Sequence, residues 1–501
     1  MQQSVRTRRP RARFVALVLT SLTVLAACGA RVPPYTGAQG VDAGASRQAG
    51  AVTDQTLPNG AVDPGASSAG ASGGSTGAAS GSGGPAKAAP GAAPAIAGPK
   101  GFNYDAAAEA AACTGTQGNT ASDVGVTPTS ITLGNVSGLT GVITNSFEQG
   151  PQAVQALFSA VNAKGGICGR QLKLVVQDDG QDASRNAANI SDLIPKVLAF
   201  VGSTSDVDNA GVQQMVEAKV PDVGFAINAN RGQSDVFWSA GGSTLYTQGG
   251  RPYSWNSLQN GLKDNNSFPK RLALLAYSIP ISADAAKQFA YAFKRDGSAI
   301  CYENYSISPA SASLDQDVLQ MKQNNCDGVM TTMDLSGNAK LLQAEQRQNW
   351  HPPYTSVTFA GYTKSQIDVA GKDAAQGLQV TLQFLPFIDP NPVMKLYLSQ
   401  LATYQPGKDP SSFGLEAYAG AQMFIYGLLK AGRNPTRASL AAAFQALEGY
   451  DSGGLMSPIA PRLRRPTGPC IVQMEVKGDQ FVRKWPATGM YCKADLVPTA
   501  P

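Results

Sequence analysis

Histidine is almost missing from this chain of 501 residues. The one present, His351, sits in Trp350-His351-Pro352-Pro353. A lone imidazole excludes a histidine cluster for zinc. A Ser-His-Asp or Cys-His centre would have to rest on it, and its prolines place it in a loop. The strand-and-helix region has no G-x-S-x-G elbow, no phosphate-binding loop and no G-x-G-x-x-G after its first strand. The paired carboxylates Asp178-Asp179 end a strand, where neighbouring side chains diverge, and Asp179 suits a turn cap. A surface hydrolase on an α/β core therefore lacks an evident nucleophile and base, and no residue is assigned as catalytic. Long apolar runs are scarce too: the run at 14–27 falls short of the ~18 residues a spanning helix needs. Excess charge is the last absence. The formal charge is +5, but Arg6, Arg8, Arg9, Arg11 and Arg13 precede Cys28 with no acid among them, so the remainder is formally neutral. That argues against a nucleic-acid partner. The small cluster Arg462, Arg464 and Arg465 reads as a solvated face.

What is present begins with those arginines. They and the apolar run form the first two regions of a secretory signal. Leu25-Ala26-Ala27-Cys28 resembles a bacterial lipobox, which implies cleavage at 1–27 and a diacylglyceryl group on the Cys28 sulfur. Such a chain is tethered to the membrane on its extracytoplasmic face rather than spanning it. Residues 28–100 are mostly Gly, Ala, Ser and Pro. They cannot bury enough apolar surface to order themselves, and a coil of that length reaches roughly 40–50 Å. Residues 101–127 form an extension before the first strand. Six further cysteines suit disulfides in an exported protein. They can pair in many ways; proximity favours Cys301 with Cys326 and Cys470 with Cys492, leaving Cys113 for Cys168. No C-x-x-C spacing suggests a metal.

The rest alternates. Strand patterns at 131–136, 172–177, 197–201 and 223–227 are separated by helical patterns at 152–163, 183–193 and from about 205 to 218. The alternation restarts with strands at 272–277, 299–302, 328–333 and 356–360, and helices at 283–294, 314–323 and 339–348. A strand at 380–384, helices at 392–404, 413–431 and 437–447, and a hairpin at 471–476 and 480–485 follow. This predicts α/β architecture with parallel sheets covered on both faces. About 400 ordered residues suit two lobes. The junction Phe200-Val201-Gly202-Ser203-Thr204-Ser205 stands out, because open α/β sheets bind ligands at the carboxyl ends of strands. Hydroxyls beside a helix N-terminus would suit a carboxylate. Ser205 or Asp206 acting only as an N-cap accounts for the same pattern.

Several motifs coincide: Ser137-Gly138-Leu139-Thr140-Gly141 after the first strand, Asn162-x-x-Gly165-Gly166-Ile167-x-Gly169-Arg170, Asp178-Asp179, the Gly202 junction, and Glu416-Ala417-Tyr418-Ala419-Gly420-Ala421. Together they resemble the type I periplasmic binding proteins, in particular the branched-chain amino acid receptors of ABC importers, over about 128–490. The resemblance implies two Rossmann-like lobes joined by three hinge crossings, near 240–246, 380–386 and 456–462. Lobe one would be 128–243 with 384–458, and lobe two 244–383 with 459–495. It implies no enzyme activity, no cofactor and no metal. The implied partners are a small polar ligand (an amino acid, or a related carboxylate or amide) and a membrane permease; a sensor for a signalling partner is the alternative. A ligand carboxylate would rest on Ser203, Thr204 and Ser205. Asn228 and Asn230 would give a second contact, with Thr140 lining the cleft. Tyr362 and Asp334 would contribute from lobe two.

Overall fold

The apolar runs near 131 and 172 become adjacent parallel strands, β1 (Ser130–Ser137) and β2 (Gln171–Asp178), with α1 (Ala106–Ala112) before them and α2 (Gln149–Asn162) between. A computed structural model describes residues 106–499 except 115–116, 144–145, 244–245, 249–250 and 464–467. Cys28, the leader, the linker and Arg464 and Arg465 lie outside the described residues.

The first half continues with α3 (Ala183–Leu193), β3 (Phe200–Val201), α4 (Val212–Glu217), β4 (Asp222–Ala226), α5 (Ala229–Gly232) and β5 (Phe237–Ser243). Its five strands are all parallel, in the order β2-β1-β3-β4-β5. Next come β6 (Tyr246–Gln248), β7 (Arg251–Trp255) and α6 (Ser257–Asp264). The alternation then resumes with β8 (Arg271–Tyr277), α7 (Pro280–Arg295), β9 (Ala299–Ile307), α8 (Asp315–Gln323), β10 (Gly328–Thr331), α9 (Leu335–Arg347), β11 (Tyr354–Val357), α10 (Lys364–Ala370) and β12 (Leu378–Leu382). Three helices follow: α11 (Pro392–Tyr404), α12 (Ser412–Ala431) and α13 (Arg437–Gln445). The last strands are β13 (Val472–Lys477), β14 (Gln480–Trp485) and β15 (Leu496–Pro498). The second sheet runs β14-β13-β12-β11-β10-β8-β9, parallel except for the closing hairpin. The expected α/β architecture with parallel sheets is thus the observed one.

Helix α12 anchors the first sheet. Nearly all its residues are buried. Gly420 lets it press on β4, since a Cβ there would lie 2.9 Å from Gly224 Cα. The chain leaves β12 for these helices at Phe384, which bridges Met456 as the chain returns; Leu385 N–H donates to the Leu455 carbonyl (2.8 Å).

Two expectations need correction, and one sheet is additional. The helix read from about 205 begins only at Val212, after a series of turns. The strand read at 356–360 ends at Val357 and turns into a 3-10 helix, Phe359–Gly361. A third, antiparallel sheet, β15-β7-β6, was not read at all. The disulfides are Cys113–Cys168, Cys301–Cys326 and Cys470–Cys492, the pairs that proximity favours. Among the described residues no helix is long and apolar enough to cross a membrane, and no group of three or more His, Cys, Asp or Glu is placed to hold a metal.

Candidate functional site

The loop after β3 sets the site. Gly202 turns the chain with φ +66°, and a Cβ there would sit 2.5 Å from Val154 Cγ2. The hydroxyl run that follows is drawn inward. Val136 N–H donates to Ser203 Oγ (3.1 Å), and Thr204 Oγ1 donates to the Phe147 carbonyl (2.8 Å). Ser205 Oγ accepts from Val207 N–H (3.3 Å). The three residues are 7%, 1% and 0% exposed. Their hydroxyls hold the loop to β1, to itself and to the Phe147 carbonyl just before α2, and none of the three lines the cavity that Asp206 faces.

The loop then bends around a buried ionic knot. Arg231 grips Asp222 through two bonds (2.8 and 2.9 Å) and reaches Asp208 (3.1 Å). Asp208 also accepts from the N–H groups of Ile227 and Asn228 and from Asn228 Nδ2 (2.8, 3.1 and 2.7 Å). Burial drives the Asp208 carboxyl up, against the pull of Arg231. Burial alone would lower the Arg231 guanidinium, but Asp222 and Asp208 hold it above its usual value. Within the segment, Thr204 N–H donates to Ser137 Oγ (3.0 Å) and Val207 N–H to Ser205 Oγ (3.3 Å); side-chain acceptors thus take backbone donors that a helix would use, which suits the late start of α4. Asn228 serves this knot, and Asn230 is exposed on α5. Thr140 is exposed and donates to Asp178 (2.6 Å); burial would raise Asp178, but that bond and three backbone N–H groups hold it below the usual range.

The knot leaves Asp206 facing a cavity of about 820 Å³, its open mouth included. The cavity lies at the carboxyl ends of strands of both sheets. From the first half come Phe147, Phe225, Ile227 and Asp206, with Phe413 from the start of α12. The second half contributes Tyr277, Ile281, Met333, Asp334 and Phe359. Phe359 meets Phe225 and Phe413 edge to face, centroids 5.5 and 5.2 Å apart, and its carbonyl accepts from Ser412 Oγ (2.6 Å). The cavity is therefore an aromatic trough with two carboxylates and, among its described lining residues, no basic side chain. Asp334 caps α9, its Oδ1 accepting from Gly337 N–H (2.9 Å) and Tyr277 Oη (2.6 Å). Burial and that bond push the Tyr277 phenol up. Asp206 Oδ1 is buried without a hydrogen-bond partner. Burial first, then Asp179 and Asp208, pushes its carboxyl up to about 6.

Of the residues expected to bind, Asp334 alone lines this cavity. Tyr362 is core: its hydroxyl accepts from Phe387 N–H (3.1 Å) and its ring stacks on Phe387. In the sequence Asp206 presents itself only as a cap, and the phenylalanines carry no local signal of a shared wall. His351 is exposed and outside the cavity lining.

Two largely parallel sheets with a cleft at their strand ends make an architecture of the two-lobed α/β class. A family model described as periplasmic binding protein matches residues 130–479, and the chain belongs to that family. No curated protein matches it in sequence. Solved structures share the fold. A fatty acid ABC transporter substrate-binding protein from Thermomonospora curvata superposes with TM-score 0.62 at 20% identity, over 76% of this chain and 97% of that one. A branched-chain amino acid transporter substrate-binding protein from Streptococcus pneumoniae, in complex with isoleucine, gives 0.59 at 15% identity, over 74% and 99%. One from Thermus thermophilus with bound valine gives 0.59 at 14%, over 73% and 97%. The fold is that of the type I members. The family places the chain outside the cytoplasm, as a binding protein for a small molecule.

Proposed function

We propose that the chain is a lipid-anchored receptor, tethered through Cys28, that delivers an amphiphile to an ABC permease. Its ligand has an apolar body and an ammonium or hydroxyl head. The observation that carries this is the pairing of Asp206 and Asp334 in a trough whose remaining described lining is aromatic and aliphatic side chains with a few hydroxyls and no basic group. A half-buried carboxylate with one oxygen unpartnered suits a donor or a cation, and a ligand carboxylate there would meet like charge. The polar carboxylate ligand expected from the resemblance fits less well, because the hydroxyls meant to receive it are bonded internally. The neighbour named for fatty acids supports an apolar body; those named for amino acids support an ammonium. In this reading the lobes are 128–243 with 384–458 and 244–383 with 459–495, and ligand stabilises their closed arrangement.

The test is a thermal-shift comparison on the purified chain. A ligand at about 100 times its Kd adds roughly 2.7 kcal/mol of stability. Isoamylamine and longer alkylamines or alkanols should raise Tm more than leucine, which carries the extra carboxylate. Asp206→Asn and Asp334→Asn should each weaken the amines. Stabilisation by leucine or carboxylic acids, with no response to amines or alcohols, would overturn the ligand class.

A further inference from the structure

A second cavity, of about 1110 Å³ with its opening, lies within the second half of the molecule. Its floor is the sheet face at Met330, Val357 and Thr381, and α7 forms one wall through Phe289 and Ala292. Its roof is the unexpected third sheet: Ser254 and Trp255 of β7, and Thr499 just past β15. That roof is strapped in place, since Thr499 N–H donates to the Pro252 carbonyl (2.9 Å) and Asn256 N–H to the Asp495 carbonyl (3.1 Å). None of the described lining residues is charged. Several polar ones already have partners: Thr381 Oγ1 donates to Gln473 (2.7 Å), and Thr499 Oγ1 to Gln288 (3.3 Å). Trp255 Nε1 is buried with none.

This chamber shares a wall with the cleft. Ala285, Thr358 and Phe359 line both cavities. Phe359 belongs to the 3-10 turn that replaces the end of the expected strand, so the same local change that shapes the aromatic trough also forms the partition. Without their open mouths the chamber and the trough hold about 190 and 140 Å³, each below the roughly 300–1,000 Å³ of a complete small-molecule site. Only together do they approach the space of one such site, elongated rather than compact.

We infer that the chamber holds the alkyl tail of a long amphiphile whose head lies at Asp206 and Asp334, with the chain passing Phe359. This rests on the ligand class proposed above and extends it from a compact apolar body to a long chain. The Asp206 and Asp334 end selects the head. The uncharged chamber rewards each methylene it removes from water.

The experiment uses the full chain carrying Cys28→Ser, which has no sulfur to acylate, and a series of n-alkylamines and n-alkanols from butyl to dodecyl. Affinity should rise about three- to fourfold per added methylene beyond the length the trough accommodates. Ala292→Phe and, independently, Gln383→Trp fill the chamber without touching the trough. Each should leave butyl binding unchanged and bring dodecyl affinity down at least tenfold. A dodecylamine brominated at its chain end should quench tryptophan fluorescence in the parent chain, and Trp255→Phe should remove most of that quenching. The quenching arm stands even if a filling variant fails to fold. Butyl binding with no gain on lengthening, or quenching indifferent to Trp255→Phe, would overturn the chamber and leave the ligand class standing. If no amine or alcohol of any length binds, the ligand class fails and the chamber assignment fails with it.

Discussion

Asp206 is the trough residue whose surroundings are most at odds with its charge. It is partly buried, one oxygen has no partner, and its carboxyl titrates at about 6. An unfolded aspartate titrates near 3.9, so between about pH 4 and 6 the folded chain holds the proton more tightly. Stability therefore falls as pH rises through that window, and the loss persists above it. Asp206→Asn should raise the unfolding free energy at about pH 7.5 by on the order of 1–2 kcal/mol, after allowing for partial solvent contact, and the gain should vanish near pH 4. The same substitution should weaken ammonium ligands, so stability and binding would move in opposite directions. A purely structural aspartate would lose both together. Tyr362 gives the contrast. Tyr362→Phe removes the acceptor for Phe387 N–H at the cost of about 1 kcal/mol, and calorimetric ligand affinity should not change.

At the scale of elements, the alternation of strand and helix was legible because each carries its own period. Helix α3 occupies 183–193 as read, and α11 occupies 392–404 as read. Elements made by pairing over long distances were not legible. Strand β15 is three residues that gain a partner only in β7, some 240 positions earlier in the chain. The loop from Gly202 to Gly211 misled for a related reason. Its composition permits a helix, but the Asp208–Arg231–Asp222 knot and the bonds to β1 take its polar groups elsewhere. The candidate site was legible only at Asp334, because its walls come from separate loops whose residues look like ordinary core. The turn itself depends on Gly202. Gly202→Ala would combine strain at φ +66° with a contact of 2.5 Å to Val154. It should lower unfolding free energy by at least ~2 kcal/mol in urea titration, while Gly165→Ala, where a Cβ meets nothing within 4 Å, should cost less.

For the whole molecule, the two sheets meet through Phe359. Its ring packs on Phe225 and Phe413, and its carbonyl receives the Ser412 hydroxyl from the start of α12. These contacts join the second half to the first without involving either carboxylate of the trough. If function is closure around a ligand, they act on the balance between open and closed forms and not on the recognition of the head. Apparent affinity then scales with the fraction of receptor able to close. Removing one such hydrogen bond costs about 0.5–1.5 kcal/mol, so Ser412→Ala should weaken every ligand by one common factor of about 2- to 10-fold. Asp206→Asn should instead discriminate, weakening amines more than alcohols. Titration calorimetry of both variants against one amine and one alcohol separates the two effects. A Ser412→Ala loss that depended on head group would place Ser412 in recognition, and no loss at all would mean that this contact does not set the closing equilibrium.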